Sequence, residues 1–431
     1  MTDRPTGSYV SDAYVRRLVR RRGRERWLRG LGLAAIAFAV GMLGLLFGSI
    51  VWQSRTAFLQ TRIGLPIGTV AGSPVDGTVD ADDASDAMDP DALVRRGLET
   101  LLGRPADRRG RRALRGLVSD HAPYRVRDAL QESTAGPAGV RTVWVPASDD
   151  VDLYVKGVAG RDVGAAERRL SDRQIGWIEA LDASRRIEVG FNRDFFLGSA
   201  SRDPEVAGIK GAVLGSFWML AVTLALTLPL GVGAAIYLER FAPRNRLTEL
   251  IDVNIRNLAA IPSIVFGLLG LALFVQLVGV PRSTPLVGGL VLALMTLPTI
   301  VIASRAAIEA VPPSYHDAAL QLGASRMEAV LLTVLPNAMP GILTGTIIGM
   351  AQALGETAPL LMVGMVAFVA DAPAGPMDSA APLPVQIFLW ATSAERGFGE
   401  KTAAAIVVLL GFLVTMNAAT IWLRRRFERE V

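Results

Sequence analysis

Glu356 stands inside a long apolar run, in "ALGETAPLL" at residues 353–361. At bilayer depth a carboxylate costs roughly 2.5–3.5 kcal/mol on insertion scales, so a retained one faces an interior, pairs with another group and marks a pathway. Gln352 lies four residues earlier, on the same face of a helix, and offers hydrogen bonds without charge. Ser263 follows Pro262 inside a second apolar run. Its hydroxyl has two uses there, donation to an anion and rescue of a backbone carbonyl freed by the proline. Arg305 and Glu309, also four apart, end a third run and leave two readings: a pair with each other at the interface, or a gate.

The same residues exclude most chemistry. There is no cysteine, hence no disulfide framework and no thiol. His121 and His316 are far apart in sequence, which speaks against a His-rich metal site. No nucleophile–base constellation stands out, so an enzyme is not expected. A phosphate-cradling loop needs Gly-x4-Gly-Lys-Ser/Thr, and the nearest stretch, "GFGEKT" at Gly397, carries Glu400 where the second glycine belongs. Nucleotide must therefore bind to another chain.

The elements that position these residues are membrane spans. The chain of 431 residues is 51% hydrophobic, and its apolar residues are clumped. Charge-free runs long enough for a spanning helix, about 20 residues, occur at 31–52, 211–238, 257–281, 283–304, 329–355 and 402–423. The first is read as a retained signal anchor, being too long for a signal-peptide core. Arginine clusters at Arg16–Arg29 and Arg424–Arg429 flank the outermost runs. They read as cytoplasmic anchors and not as a nucleic-acid footprint, placing both termini inside. The organisation expected is a basic cytoplasmic segment at 1–30, a first transmembrane helix at 31–53, an extracytoplasmic domain at 54–208, a transmembrane core at 209–423 with a cytoplasmic loop at 305–336, and a cytoplasmic tail at 424–431. The extracytoplasmic domain begins with a linker of Gly, Pro and Asp at 68–91. "DALVRRGLETLLG" reads as helix, whereas "RTVWVPA" and "VDLYVKG" read as strands by their β-branched and aromatic content. The fold class expected is an all-α integral membrane protein with six transmembrane helices and a small α+β insertion.

A run reaching from 329 to about 370 is too long for one crossing, since about 40 residues would measure ~60 Å against a ~30 Å hydrocarbon core. The break is expected at "GETAP": Gly355 loosens the helix, Thr357 caps the next one, and Pro359 is tolerated in its first turn. Exposed N–H groups at such a break suit an oxyanion. On the cytoplasmic side, "PPSYHDAALQLG" reads as a short helix stopped by Gly323, and "ASRMEAVLLTVLP" starts a second helix that runs into the membrane.

This helix–glycine–helix stretch resembles the coupling loop of ABC importer permeases, Glu-Ala-Ala, three residues, Gly, nine residues, Ile-x-Leu-Pro. The chain has Asp317, Ala318, Ala319, Gly323, Thr333, Leu335 and Pro336 at that spacing, with Asp for Glu and Thr for Ile. Together with "NIRNLAAIPSIVFGLLGLALF", "GSFWMLAVTLALTLPLGVGAAIYLERFAPRNR" and "LPNAMPGILTGTIIGMAQALGETAPLL", residues 190–431 are similar to the PstA-type permease subunit of phosphate importers. The resemblance implies a type I importer fold and an inner-membrane location. The implied partners are a second permease of PstC type, a PstB-type ATPase dimer carrying ATP and Mg, and an extracytoplasmic phosphate-binding protein. This chain itself would hold no cofactor, touching phosphate and membrane lipid only. The implied site residues are Asp317, Ala318, Ala319, Gly323, Leu335 and Pro336 for docking, and Gln352, Gly355, Glu356, Thr357, Ser263 and Arg305 along the pathway. Many members carry Arg where this chain has Gln352, so an intrahelical Arg–Glu pair is missing and positive charge must come from elsewhere. Two other readings remain: a permease for sulfate or molybdate, and a membrane receptor with an outer sensing domain.

Overall fold

The computed structural model describes residues 12–68, 89–132, 140–158, 169–366, 368–369 and 371–427. Most of the expected linker, 69–88, and the end of the tail, 428–431, lie outside the described residues. The chain divides into two units, 1–53 and 54–431. The first unit is carried by helix α1 (Asp12–Ser54), whose part from Glu25 onward is long and apolar enough to cross a membrane.

The second unit begins with a small α+β insertion. It contains β1 (Leu59–Gly68), α2 (Pro90–Leu102), α3 (Arg108–Arg115), α4 (Ala122–Glu132), β2 (Val140–Pro146), α5 (Asp149–Val155), α6 (Asp172–Ala183), β3 (Ile187–Phe191) and α7 (Arg193–Leu197). The sheet has the order β2-β1-β3, antiparallel throughout. Successive side chains on a strand face opposite sides, and Ile63, Leu65 and Ile67 of β1 are all buried with Val143 and Val145 of β2. Val94, Leu98, Leu114, Val126, Ile178 and Leu181 of the helices complete that core, where each fully buried aliphatic side chain stabilises by roughly 1.5–3 kcal/mol. Pro66 is tolerated in the central strand because β3 ends opposite Ile63, leaving Pro66 paired only to Thr142 of β2.

The expected helix at "DALVRRGLETLLG" and strand at "RTVWVPA" are both present. "VDLYVKG" is a correction: it belongs to helix α5. Asp149, Asp150 and Asp152 crowd the first turn, where the helix dipole favours negative charge, while Val151 and Leu153 are buried. β-Branched content suggested a strand, but the acidic start prevails, together with the core-facing set Val151, Tyr154 and Val155 at i, i+3 and i+4.

The remainder is a helical core: α8 (Lys210–Ile236), α9 (Arg246–Ala259), α10 (Ser263–Gly270), α11 (Pro285–Glu309), α12 (Pro313–Gln321), α13 (Arg326–Ala329), α14 (Leu335–Gly355), α15 (Ala358–Val363), α16 (Leu383–Ala391) and α17 (Gly397–Phe427). Among the described residues of the chain five helices have spanning length and polarity, and six spans result if the bent pair α9–α10 counts as one. That pair is bent by 101°, so the run at 257–281 is not the single straight span its composition suggested. The chain turns at Ala260–Pro262, and the apolar part continues through α10 and a π-helical stretch, Leu271–Leu277. Helix α16, short and apolar, lies between the apolar runs at 329–355 and 402–423.

Helices α11 and α14 approach closely through small residues. A Cβ on Gly345 would lie 2.2 Å from the Cβ of Ala303, and one on Gly341 2.6 Å from that of Ala307. Small residues four apart let backbones meet where lipid offers no hydrophobic drive. Buried hydroxyls supply polar links: Thr223 donates to the Gly289 carbonyl at 3.2 Å, and Ser216 Oγ accepts from the Leu383 N–H at 2.8 Å.

Candidate functional site

The loop between α11 and α14 has the expected helix–glycine–helix form. Pro313 opens α12, and Gly323 stops it with φ +92, a left-handed backbone that favours glycine. Ser325 and Glu328 then form a reciprocal capping box at the start of α13. A π-helical turn, Val330–Val334, joins α13 to α14, placing Leu335 and Pro336 in the first turn of α14. Proline has no N–H for the ladder, and the local change of register accommodates it. Asp317 and Ala318 are exposed and Ala319 is half-buried. Leu322, 90% exposed, is the most accessible large apolar side chain among the described residues.

Helix α14 ends at Gly355, where the break was expected. Glu356 takes an extended backbone, and α15 starts at Ala358 with Pro359 in its first turn. Thr357 corrects one detail. It occupies the capping position, but its side chain makes no capping hydrogen bond. Its φ of −104 and ψ of −40 are already near-helical, whereas a capping hydroxyl reaches the next N–H groups from an extended residue.

Glu356 is half-buried, and its carboxylate has no hydrogen bond or ion pair to any described residue. Gln352, one turn earlier, is exposed and likewise makes no side-chain hydrogen bond among the described residues. The helix α14 therefore ends in two polar groups that have no side-chain partner among the described residues. The second broken helix lies close by: Gly267 of α10 would place a Cβ 2.6 Å from the Pro359 carbonyl. Ser263 is one turn before Gly267 and half-buried. Sequence reasoning did not single out Gly267, although a glycine one turn after a helix break is a sign of close approach.

Arg305 is not part of this group. With Gly345 against Ala303 and a rise of about 1.5 Å per residue, Arg305 and Glu356 lie about 20 Å apart along the helix axes. Nor does Arg305 pair with Glu309. Its Nε meets Glu239 Oε2 at 3.4 Å, and its Nη1 donates to Asp252, which also accepts from Arg256 at 2.8 Å. The network ties a π-helical turn that follows α8, Tyr237–Phe241, to α9 and α11. An Arg preceding Glu by four is the weaker order for an intrahelical pair, and carboxylates on neighbouring helices take its place.

A membrane-spanning core with this exposed helix–glycine–helix loop defines a transport permease, and sequence comparison refines that class. Residues 227–431 match the family described as "Binding-protein-dependent transport system inner membrane component". Residues 15–165 match a domain of unknown function, DUF3333. The chain is 31% identical over 219 residues to the "Phosphate transport system permease protein PstA 1" of Mycobacterium tuberculosis, covering 50% of this chain and 70% of that protein. It is 39% identical over 154 residues to the "Probable ABC transporter permease protein YqgI" of Bacillus subtilis, covering 36% of this chain and 52% of that one, so the match spans about half of that relative's length. Among solved structures, the MetNI methionine ABC transporter is similar at a TM-score of 0.42 and 18% identity, over 51% of this chain and 97% of that one. The chain belongs to the PstA-type family of ABC transporter permeases.

Proposed function

We propose that this chain forms half of the membrane pathway of an ATP-driven importer of inorganic phosphate. The exposed loop at residues 317–336 docks onto an ATPase dimer of PstB type, which binds and hydrolyses ATP with Mg. A PstC-type permease forms the other half of the pathway. An extracytoplasmic phosphate-binding protein delivers the ion. Both termini lie in the cytoplasm, and the 54–208 insertion lies outside. ATP closure in the partner moves the loop, and the helices transmit that movement to the break at Glu356.

The observation that carries this reading is the exposure of Asp317, Ala318 and Leu322 on and at the end of a short helix stopped at Gly323, beyond which α13 runs through the π-helical turn into α14. An apolar side chain that is 90% exposed on a short helix suits insertion into a partner's groove. The phosphate assignment is supported by the PstA 1 relative and by the unpaired carboxylate of Glu356. Hydrogen phosphate keeps a proton at neutral pH, so it donates to a carboxylate; sulfate does not. A site built around a donated hydrogen bond rejects an analogue that lacks the donor.

Uptake of radiolabelled phosphate at low external concentration tests the reading, in cells with and without this chain and with unlabelled sulfate as competitor. Uptake that depends on the chain and ignores sulfate is the expected result. Unchanged phosphate uptake removes the substrate assignment. Failure of an ATPase to copurify with the chain, or its undiminished copurification after Leu322→Asp, removes the docking assignment.

A further inference from the structure

The rejected "GFGEKT" stretch has a structural use. Gly397, Phe398, Glu400 and Lys401, in the first turns of α17, are buried under the insertion. The Gly397 N–H donates to Asp149 Oδ2 at 3.0 Å, and a Cβ at 397 would stand 1.8 Å from Asp149 Oδ1, so only glycine fits. The Asp149 N–H in turn donates to Glu205 Oε1 at 2.8 Å. Lys156, whose side chain is 2% exposed, bridges Asp152 at 2.6 Å and Glu400 at 2.9 Å. Lys401 donates to the Ala207 carbonyl at 3.1 Å. These groups surround a space of about 10 Å³, room for about one water.

The charges do not balance. Asp149, Asp152, Glu205 and Glu400 face two ammonium groups, Lys156 and Lys401, leaving an excess of two negative charges when all are ionised. Asp150, beside Asp149, and Asp203, near Glu205, add to the negative side; His121 stands 3.2 Å from Asp203 at the margin. Glu400 Oε2 is buried with no hydrogen-bond partner among the described residues. Burial of uncompensated negative charge is costly and is relieved by proton uptake.

We propose that this junction is a proton-operated latch, in which Asp149 and Glu205 hold protons that keep the insertion closed onto the start of α17 and release them as the solution becomes alkaline. Burial, reinforced by the neighbouring carboxylates, pushes Asp149 up to about 6 and Glu205 up to about 7, while burial pushes Lys401 down to about 8, above the range in which the two carboxyl groups titrate. Both values are raised above the ordinary carboxylate range, so the sign is set: closure is fully favoured below about pH 4 and weakens as pH rises through 6 and 7. Gly397 makes the latch tight, because Asp149 reaches the α17 backbone directly.

Hydrogen–deuterium exchange of the full chain in lipid nanodiscs, corrected for the chemical exchange rate, reads the latch between pH 5 and 8.5. Peptides covering 146–156, 200–208 and 396–403 are expected to lose protection by about tenfold or more as pH rises, since each unit of pKa shift corresponds to about tenfold. Peptides from α2, in the insertion's own core, should not change. Glu205→Gln and Asp149→Asn mimic the protonated carboxyl groups, and each should flatten the profile and retain protection at pH 8.5. A wild-type profile without pH dependence overturns the proposal, as does an unaltered pH dependence in both variants. Infrared difference spectra of the wild type serve as an independent measurement should a variant fail to fold. A protonated-carboxyl band titrating near neutrality is expected, and its absence at pH 5 overturns the latch.

Discussion

Two carboxylates mark the ends of apolar helices in this core, and their surroundings are opposite. Glu400, at the start of α17, accepts from a buried lysine and sits in a network that joins the insertion to the core. Glu356, at the end of α14, is half-buried and has no partner among the described residues. A charge that serves architecture is compensated by its own chain, because an unpaired buried charge costs several kcal/mol. A charge left open at a helix break is suited to a partner that comes and goes. Arg305 sides with the first kind, held by Glu239 and Asp252.

The comparison breaks most readily at Lys156. Lys156→Met strands Asp152 and Glu400 without their cation, and loss of one member of a buried ion pair costs about 3–5 kcal/mol. Thermal unfolding in detergent should show a large drop in stability for this variant; a drop within error would place the junction among dispensable contacts. Glu356→Gln should do the reverse. It should leave thermal stability within about 0.5 kcal/mol of wild type, as for a site with no internal partner, and lower phosphate uptake at least about tenfold, ~1.4 kcal/mol of barrier. Equal losses of stability and uptake would make Glu356 a structural residue and collapse the distinction. The smallest effect belongs to Gln352→Arg. It restores a cation one turn from Glu356, an exposed i,i+4 pair worth about 0.2–0.5 kcal/mol. Stability should barely rise, and the sharper readout is whether phosphate uptake becomes more sensitive to ionic strength, since salt screens an added cation. An unchanged salt response would mean that no cation is needed at that position.

Much of the core and of its helix–glycine–helix loop was legible in the sequence. Run length alone marks five of the spanning helices, since about 20 apolar residues are needed to cross a bilayer and few soluble folds tolerate such runs; the bent pair α9–α10 is the exception. The turn at Gly323 and the break after Gly355 were equally legible, because glycine and proline act through the local backbone and need no neighbours. The strand misread at "VDLYVKG" shows the limit of propensity: three aspartates in a first turn and a core-facing set of Val151, Tyr154 and Val155 at helical spacing decide for helix. Thr357 fails for a related reason, since capping depends on a backbone conformation that composition does not set.

By itself, then, the sequence determined the membrane-spanning character of the core, a helix–glycine–helix loop and a carboxylate at a helix break, all of which follow from local composition and spacing. Only the tertiary structure decided which charges are satisfied. Arg305 finds Asp252, 53 residues away, and Lys156 finds Glu400, 244 residues away. Such pairings depend on how helices and the insertion pack, and no periodicity within one element encodes a partner on another.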